Sequence, residues 1–242
     1  MSRTLFTGAA GLTASQYYIN NIGSNISNVN TTGYKPVVTT FSDLLYTEMY
    51  VKSADVLSGQ GAKASYGGIN PTQSSLVPTG NNMDLAISGS GWFAVETGAG
   101  VRYTRDGAFS TSVEGNTAYL VNGTGNYVLD KDGRRISQPT GTTNGTGVDT
   151  AALTAQVGVF DFANPEALLP LSSNLYAANA QSGQATPASA DTKVVSGYLE
   201  QSGAQIVDGM VDLITAQRAY QLSAKIVQTA DEDEQTVNNL RS

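Results

Sequence analysis

Three short stretches carry residue types that could do chemistry. Gly89-Ser90-Gly91 has the makings of a phosphate-cradling loop, whose backbone N–H groups would hold an anion at the start of a helix. The next five residues, Trp92-Phe93-Ala94-Val95-Glu96, form a β-prone run instead. The helix dipole and its donors are therefore missing, and a strand bulge is the simpler reading. Asp130-Lys131-Asp132-Gly133 opens like a calcium loop, yet the later oxygen ligands and the closing Glu are absent, which leaves a hairpin turn. Asp84, Asp106 and Glu114 supply carboxylates, and a glycan hydrolase would need two of them about 5–9.5 Å apart. Turn and solvated positions account for all three more simply. The chain has no His and no Cys, which removes a Ser-His-Asp triad, Cys-based metal centres and disulfides. The expectation is a protein that is not an enzyme, with no catalytic residue, no metal site and no cofactor.

With no reaction to position, the elements themselves must carry the function, and the two chain ends are the most informative. From Thr4 through Tyr34 there is no charged side chain, although Ser, Asn, Gln, Thr and Gly fill the stretch. Leu5, Leu12, Ile19 and Ile26 fall seven apart, and Ile22 and Val29 add the intermediate positions of a helical seam. A helix on a solvated surface normally carries Lys and Glu on its outer face. An apolar seam with an uncharged polar back suggests protein neighbours on all sides, as in a polymer subunit.

The other end answers it. From about Gln205 to Leu240 the pattern is again helical, with Ile206, Leu213, Tyr220 and Val227 spaced by seven. The companion positions Gly209, Ala216, Ser223 and Ala230 are small, which would let two helix backbones approach closely. A second apolar stripe runs through Val207, Val211, Ile214, Leu222 and Ile226, interrupted by Arg218. Two stripes imply two packing partners; a single intramolecular hairpin of the two helices is the alternative. The net charge of −7 over 242 residues argues against nucleic acid. No apolar run approaches the roughly 20 residues that span a bilayer, and polar residues interrupt any signal-peptide core near the start. Neither membrane insertion nor a cleavable Sec signal is expected.

Between the helices the periodicity changes. Residues near 35–75 give little regular structure, with Gly59, Gly61, Gly67 and Gly68 marking irregular backbone. From Met83 onward short strands succeed one another: Trp92–Glu96, Val101–Thr104, Ala108–Ser110, Thr117–Val121 and Tyr127–Leu129. Arg105-Asp106-Gly107 reads as a tight turn in which Gly supplies positive φ, with further turns at Asn122-Gly123 and Asp132-Gly133. Thr140 to Gly147 reads as an exposed loop, and Ala155–Phe162 and Val194–Leu199 as two more strands. The fold class is α+β: terminal helices with apolar seams, and a mainly antiparallel β domain between them.

The most specific pattern is Ser24-Asn25-Ile26-Ser27-Asn28-Val29-Asn30-Thr31-Thr32-Gly33-Tyr34-Lys35. Asn side chains compete with the helix for backbone groups, Gly33 can take the left-handed conformation that ends a helix, and Pro36 prevents its resumption. The stretch closely resembles the rod signature of the bacterial flagellar axial proteins (rod, hook and their relatives), carried by Asn25, Ile26, Asn28, Val29, Asn30, Thr32, Gly33, Tyr34 and Lys35. Gln217-Arg218-Ala219-Tyr220, together with Lys225 and Asp231-Glu232, resembles the C-terminal signature of the same family. Asp84-Leu85-Ala86-Ile87, Gly89, Gly91-Trp92-Phe93 and Tyr103-Thr104-Arg105-Asp106-Gly107 resemble its β domain. Where the family often has Ser-Asn-Val before the last helix, this chain has Ser202-Gly203-Ala204-Gln205, which leaves the helix start open.

The resemblance implies more than spacing does. Residues 1–34 plus 204–242 would form an inner helical coiled coil, 83–170 an outer β domain, and 35–82 plus 171–203 an irregular connection with some β structure. It implies a subunit of the flagellar basal-body rod that polymerises into a hollow, torque-transmitting shaft around the export channel. Its partners would be copies of itself, neighbouring rod and hook proteins, the flagellar type III export apparatus and surrounding ring proteins. Its place would be the basal body, beyond the inner membrane. Asn20, Asn21, Asn25, Asn28 and Asn30 are expected to hydrogen-bond between subunits. Length and Leu76-Val77-Pro78-Thr79-Gly80-Asn81 lean toward the proximal rod protein. A distal rod or short hook protein of the family, or outside it a free-standing extracellular β binding module, are the alternatives.

Overall fold

A computed structural model describes residues 3–44, 47–51, 54–139, 152, 154–189 and 192–240. The two end patterns become long helices: α1 spans Arg3–Ser27 and α2 spans Ile206–Leu240. α1 has no acidic residue in its first turn and no basic residue in its last, so nothing complements its macrodipole from within. Packing must stabilise it. The partner is α2, and the two run antiparallel: Gly209 lies against Ile26, Ser223 against Gly11, and Val227 against Gly8.

The chain divides into two compact units, one of Met1–Ser27, Val37–Gly67 and Gln205–Ser242, the other of Asn28–Pro36 and Gly68–Ala204. The first unit holds the helix pair and four strands, β1 (Val37–Asp43), β2 (Thr47–Val51), β3 (Ala54–Ser58) and most of β4 (Ala62–Ile69). β2 and β3 form an antiparallel hairpin, and β1 pairs with β4. These strands fall where the periodicity predicts little regular structure. Small residues explain the miss: β4 reads Ala-Lys-Ala-Ser-Tyr-Gly-Gly-Ile, and a Cβ on Gly67 would sit 2.6 Å from Thr40 Oγ1. Close backbone approach, not alternating apolar side chains, makes this sheet. On the same sheet burial pushes the Tyr66 phenol up to about 12, with Tyr17 adding to the effect.

The second unit is an antiparallel β domain. Its largest sheet has ten strands: β7 (Trp92–Thr97), β8 (Gly100–Thr104), β9 (Phe109–Glu114), β10 (Thr117–Asn122), β11 (Tyr127–Val128), β12 (Ser137–Pro139), β13 (Val159–Asp161), β14 (Leu169–Pro170), β15 (Tyr176–Ala177) and β16 (Thr186–Pro187). Two short pairs complete it, β5 (Leu76–Pro78) with β18 (Tyr198–Glu200) and β6 (Leu85–Ser88) with β17 (Lys193–Ser196). β7 is buried on both faces, so its first four residues are all apolar. Phe93 and Val95 face the core with Phe109, Leu120, Val128 and Val157, while Trp92 stacks on Tyr176 at 4.8 Å. Gly89-Ser90-Gly91 is the bend that joins β6 to β7, rather than a bulge within a strand, and Gly91 has φ 125° where Val159 approaches.

Arg105-Asp106-Gly107 is not a hairpin turn. β8 pairs with β7 and β15, whereas β9 pairs with β10, so the tripeptide links strands that are not neighbours. Gly107 is not at positive φ; a Cβ there would lie 1.6 Å from the Leu85 carbonyl oxygen. Glycine is required by close approach to β6. The expected turns at Asn122-Gly123 and Asp132-Gly133 are present, the latter closed by the Gly133 N–H on the Asp130 carbonyl at 2.9 Å. Of the stretch 155–162 only Val159–Asp161 is a strand, and the expected loop from Thr140 to Gly147 lies outside the described residues.

Candidate assembly surface and the signature site

In the first unit the seam is narrower than the heptads suggest. On α1, Ile22 is buried and Leu5, Leu12, Ile19 and Ile26 are half-buried. On α2 the small positions do most of the packing: Ala216 and Ala230 are buried, Leu213 and Val227 half-buried, and Ile206 and Tyr220 exposed. Small residues on α1 matter equally. A Cβ on Gly8 would meet Val227 Cγ2 at 2.7 Å, and one on Gly11 would meet Ser223 Oγ at 2.9 Å. Each helix thus offers glycine to the other's side chains, and the backbones close together.

Among the described residues nothing covers the second α2 stripe. Val207 is 74% exposed, Leu222 67%, Val211 56%, Ile214 52% and Ile226 49%, with Met210 beside them at 55%. Gln217 and Arg218 are exposed too. The outward positions of α1 are Thr4, Phe6, Ala9, Thr13, Gln16, Asn20, Ser24 and Ser27, none of them charged. Asn21 and Asn25 are spent inside this unit. Asn21 Nδ2 donates to Thr39 Oγ1 at 2.7 Å; Asn25 donates to the Val37 carbonyl and accepts the Val37 N–H, each at 2.9 Å. Tyr18 packs edge-on against Phe41, and burial, then the nearby Asp212 carboxylate, raises its phenol pKa.

The rest of the signature, Asn28 to Lys35, belongs to the second unit and does far more than end a helix. Asn28 and Val29 are half-buried and Asn30 exposed, and the Asn28 side chain accepts from Thr31 Oγ1. Thr32 Oγ1 donates to Asp106 Oδ1 at 2.7 Å, and the Thr32 carbonyl accepts Asn174 Nδ2 at 2.6 Å. Gly33 is buried at φ 64°, donates its N–H to the Glu200 carbonyl, and would place a Cβ 2.4 Å from the Arg105 backbone. Tyr34 is half-buried and its carbonyl accepts the Gly203 N–H at 2.9 Å.

Lys35 is 1% exposed, and its Nζ donates to Glu200 Oε1 at 2.6 Å and the Thr72 carbonyl at 2.7 Å. Arg105, 3% exposed, reaches Glu200 Oε2 at 3.2 Å and the Gly89 carbonyl at 2.9 Å, and lies 5.6 Å from the Trp92 ring centre. Its Nε is buried without a hydrogen-bond partner. Burial pushes both cations below their ordinary pKa ranges, and the Glu200 carboxylate opposes the shift. Of the β-domain positions, Tyr103 packs edge-on between Phe160 and Phe162, while Trp92, Phe93, Arg105, Asp106 and Gly107 all serve this framework.

Glu200 and Asn174 carry no sequence signal of this role, being a lone Glu in a short strand and a lone Asn at φ 56° in a loop. The carboxylates weighed for chemistry are held in hydrogen bonds within the second unit. Asp84 accepts from Asn81, Asp106 from Thr32, and Glu114 from the Tyr127 hydroxyl. Among the described residues no group of His, Cys, Asp or Glu could hold a metal, and no helix is long and apolar enough to cross a membrane.

What remains is a helix pair with one uncovered apolar face and a signature peptide locked into a β domain. Comparison with known proteins supplies the family. Residues 5–35 match the family described as flagella basal body rod protein, 86–152 the flagellar hook protein FlgE/F/G D1 domain, and 195–240 the flagellar basal body rod FlgEFG protein C-terminal region. The flagellar basal-body rod protein FlgG of Bacillus subtilis (strain 168) is 35% identical across the whole of both chains. The protein of that name from Agrobacterium fabrum is 35% identical over 95% of this chain and 96% of its own. The chain belongs to the flagellar basal-body rod protein family. A B. subtilis relative named flagellar hook-basal body complex protein FlhP is 29% identical over the full length of both. Membership makes this chain a structural subunit of the bacterial flagellum, placed in its basal body.

Proposed function

We propose that this rod protein works without catalysis, as one brick of a hollow shaft that transmits torque and encloses the export channel. Copies of itself and neighbouring rod and hook proteins would be its partners. The observation that carries this reading is the uncovered stripe Val207, Met210, Val211, Ile214, Leu222 and Ile226 on α2, beside an α1 whose exposed side chains from Thr4 to Ser27 carry no charge. An isolated soluble protein rarely leaves so long an apolar stripe in water, and a contact between subunits would cover it. Each buried Leu or Ile contributes about 1.5–3 kcal/mol, repeated at every subunit.

In this arrangement 1–34 plus 204–242 line the inner wall, 83–170 face outward, and 35–82 plus 171–203 connect them. Seam residues Leu5, Leu12, Ile19, Ile22 and Ile26, with Ile206, Leu213, Gln217, Arg218, Tyr220 and Val227, make the helical layer; Val29, expected in that seam, lies past the end of α1 in the second unit. Delivery by the flagellar type III apparatus, rather than the Sec pathway, and surrounding ring proteins complete the picture. A Val211→Asp, Ile214→Asp variant tests it in cells lacking the native gene. Two carboxylates on a face that must become dry should prevent rod completion and motility while the purified subunit keeps its β domain. Wild-type rods and swimming from that variant would refute the assignment.

A further inference from the structure

Glu200 is the most enclosed carboxylate among the described residues of the second unit, at 1% exposed, and its surroundings are built for a carboxylate. Oε1 receives Lys35 Nζ at 2.6 Å and the Ser74 N–H at 2.8 Å, and Oε2 receives Arg105 Nη1 at 3.2 Å. The three donors lie 165, 126 and 95 residues away along the chain. Two cations against one carboxylate leave an excess of positive charge. Asp161, itself hydrogen-bonded to Ser90, offsets part of it at Arg105. Without Glu200, Lys35 and Arg105 would be buried with no direct counter-ion, an arrangement that costs far more than leaving them in water.

The apolar cluster of the same unit tells a different story. It runs from Leu85 to Leu175, with Met83 and Ala188 packed against it, so every one of its residues precedes Glu200 in the chain. We propose that Lys35, Arg105 and the Ser74 N–H form a carboxylate-binding cradle that Glu200 fills as the closing step of this unit's folding. The signature segment Asn28–Pro36, anchored at Thr32 by Asp106 and Asn174, is then fully fastened only once the C-terminal strand has arrived, because Gly33 and Tyr34 bond to Glu200 and Gly203 through the backbone. An incomplete chain carries a formed β core and an open signature segment.

Full-length Glu200→Ala, probed by residue-resolved amide exchange, tests this. The amides of Gly33, Lys35, Ser74 and Gly203 should lose about 100-fold or more of their protection, the scale set by breaking a buried ion pair. Leu129 and Gly158, whose N–H groups bond within the core, should be unchanged. Excess acetate should restore the lost protection and acetamide, its neutral counterpart in size, should not. Undiminished protection in the variant, equal loss in the core, or equal rescue by acetamide would overturn the proposal. Should Glu200→Ala fail to fold, the triple variant Lys35→Met, Arg105→Met, Glu200→Leu decides, since an apolar replacement of a buried ion cluster is often tolerated. Protected Gly33 and Gly203 amides in that variant support the cradle, and an open segment refutes it.

Discussion

At the scale of single residues, Gly107 and Gly123 show how two glycines of similar appearance differ. A Cβ at 107 would penetrate the Leu85 carbonyl at 1.6 Å, where the Leu85 N–H also bonds back to the Gly107 carbonyl at 3.0 Å; a Cβ at 123 meets nothing within 4 Å. Gly107→Ala should therefore cost about 3 kcal/mol through forced backbone displacement, and Gly123→Ala less than about 0.5 kcal/mol. Urea unfolding of the two variants measures the difference, and equal midpoints would contradict the geometry. The tripeptide containing Gly107 is legible in the sequence as a special backbone site, but its reason is not: φ imposes no strain, and contact with β6 is invisible in local sequence. Lys35 is legible only as part of a signature. Its partner Glu200 lies 165 residues on, beyond any periodicity.

At the scale of elements, the antiparallel register of α1 and α2 settles two features that each helix alone leaves puzzling. The acidic run Asp231-Glu232-Asp233-Glu234 lies inside α2, about two turns before its end at Leu240, with no basic residue in the helix's last turn. The pairs Gly209–Ile26, Ser223–Gly11 and Val227–Gly8, continued by one turn, bring that run level with the first turn of α1, whose dipole favours acids. Gly8 and Gly11 also cease to be mere interruptions of an apolar run, since they mark the closest approach of the helices. Gly8→Leu should push the pair apart, at a cost of about 2 kcal/mol, and speed amide exchange in both helices while the β domain stays protected. Unchanged exchange in α2 would show that the contact at Val227 is dispensable. Both helices are legible in the sequence because heptads survive in a 25- and a 35-residue element. The β1–β4 pair is not, because small residues and glycine erase the alternation that announces a strand.

At the scale of the molecule, one chain supplies two kinds of stability. The β domain rests on an internal apolar cluster and an internal ion cluster, both drawn from its own residues. The helix pair keeps its broadest apolar stripe outside. A family of rod subunits accounts for that division, for a protein that must be whole before assembly and bound on many sides after it. Covalent surface labelling with mass spectrometry, comparing the purified monomer with isolated basal bodies, addresses this most directly. The account predicts that Met210, Leu222 and Ile226 label readily in the monomer and become protected in the basal body. Absence of the chain from basal bodies, or a stripe labelled equally in both states, would contradict it.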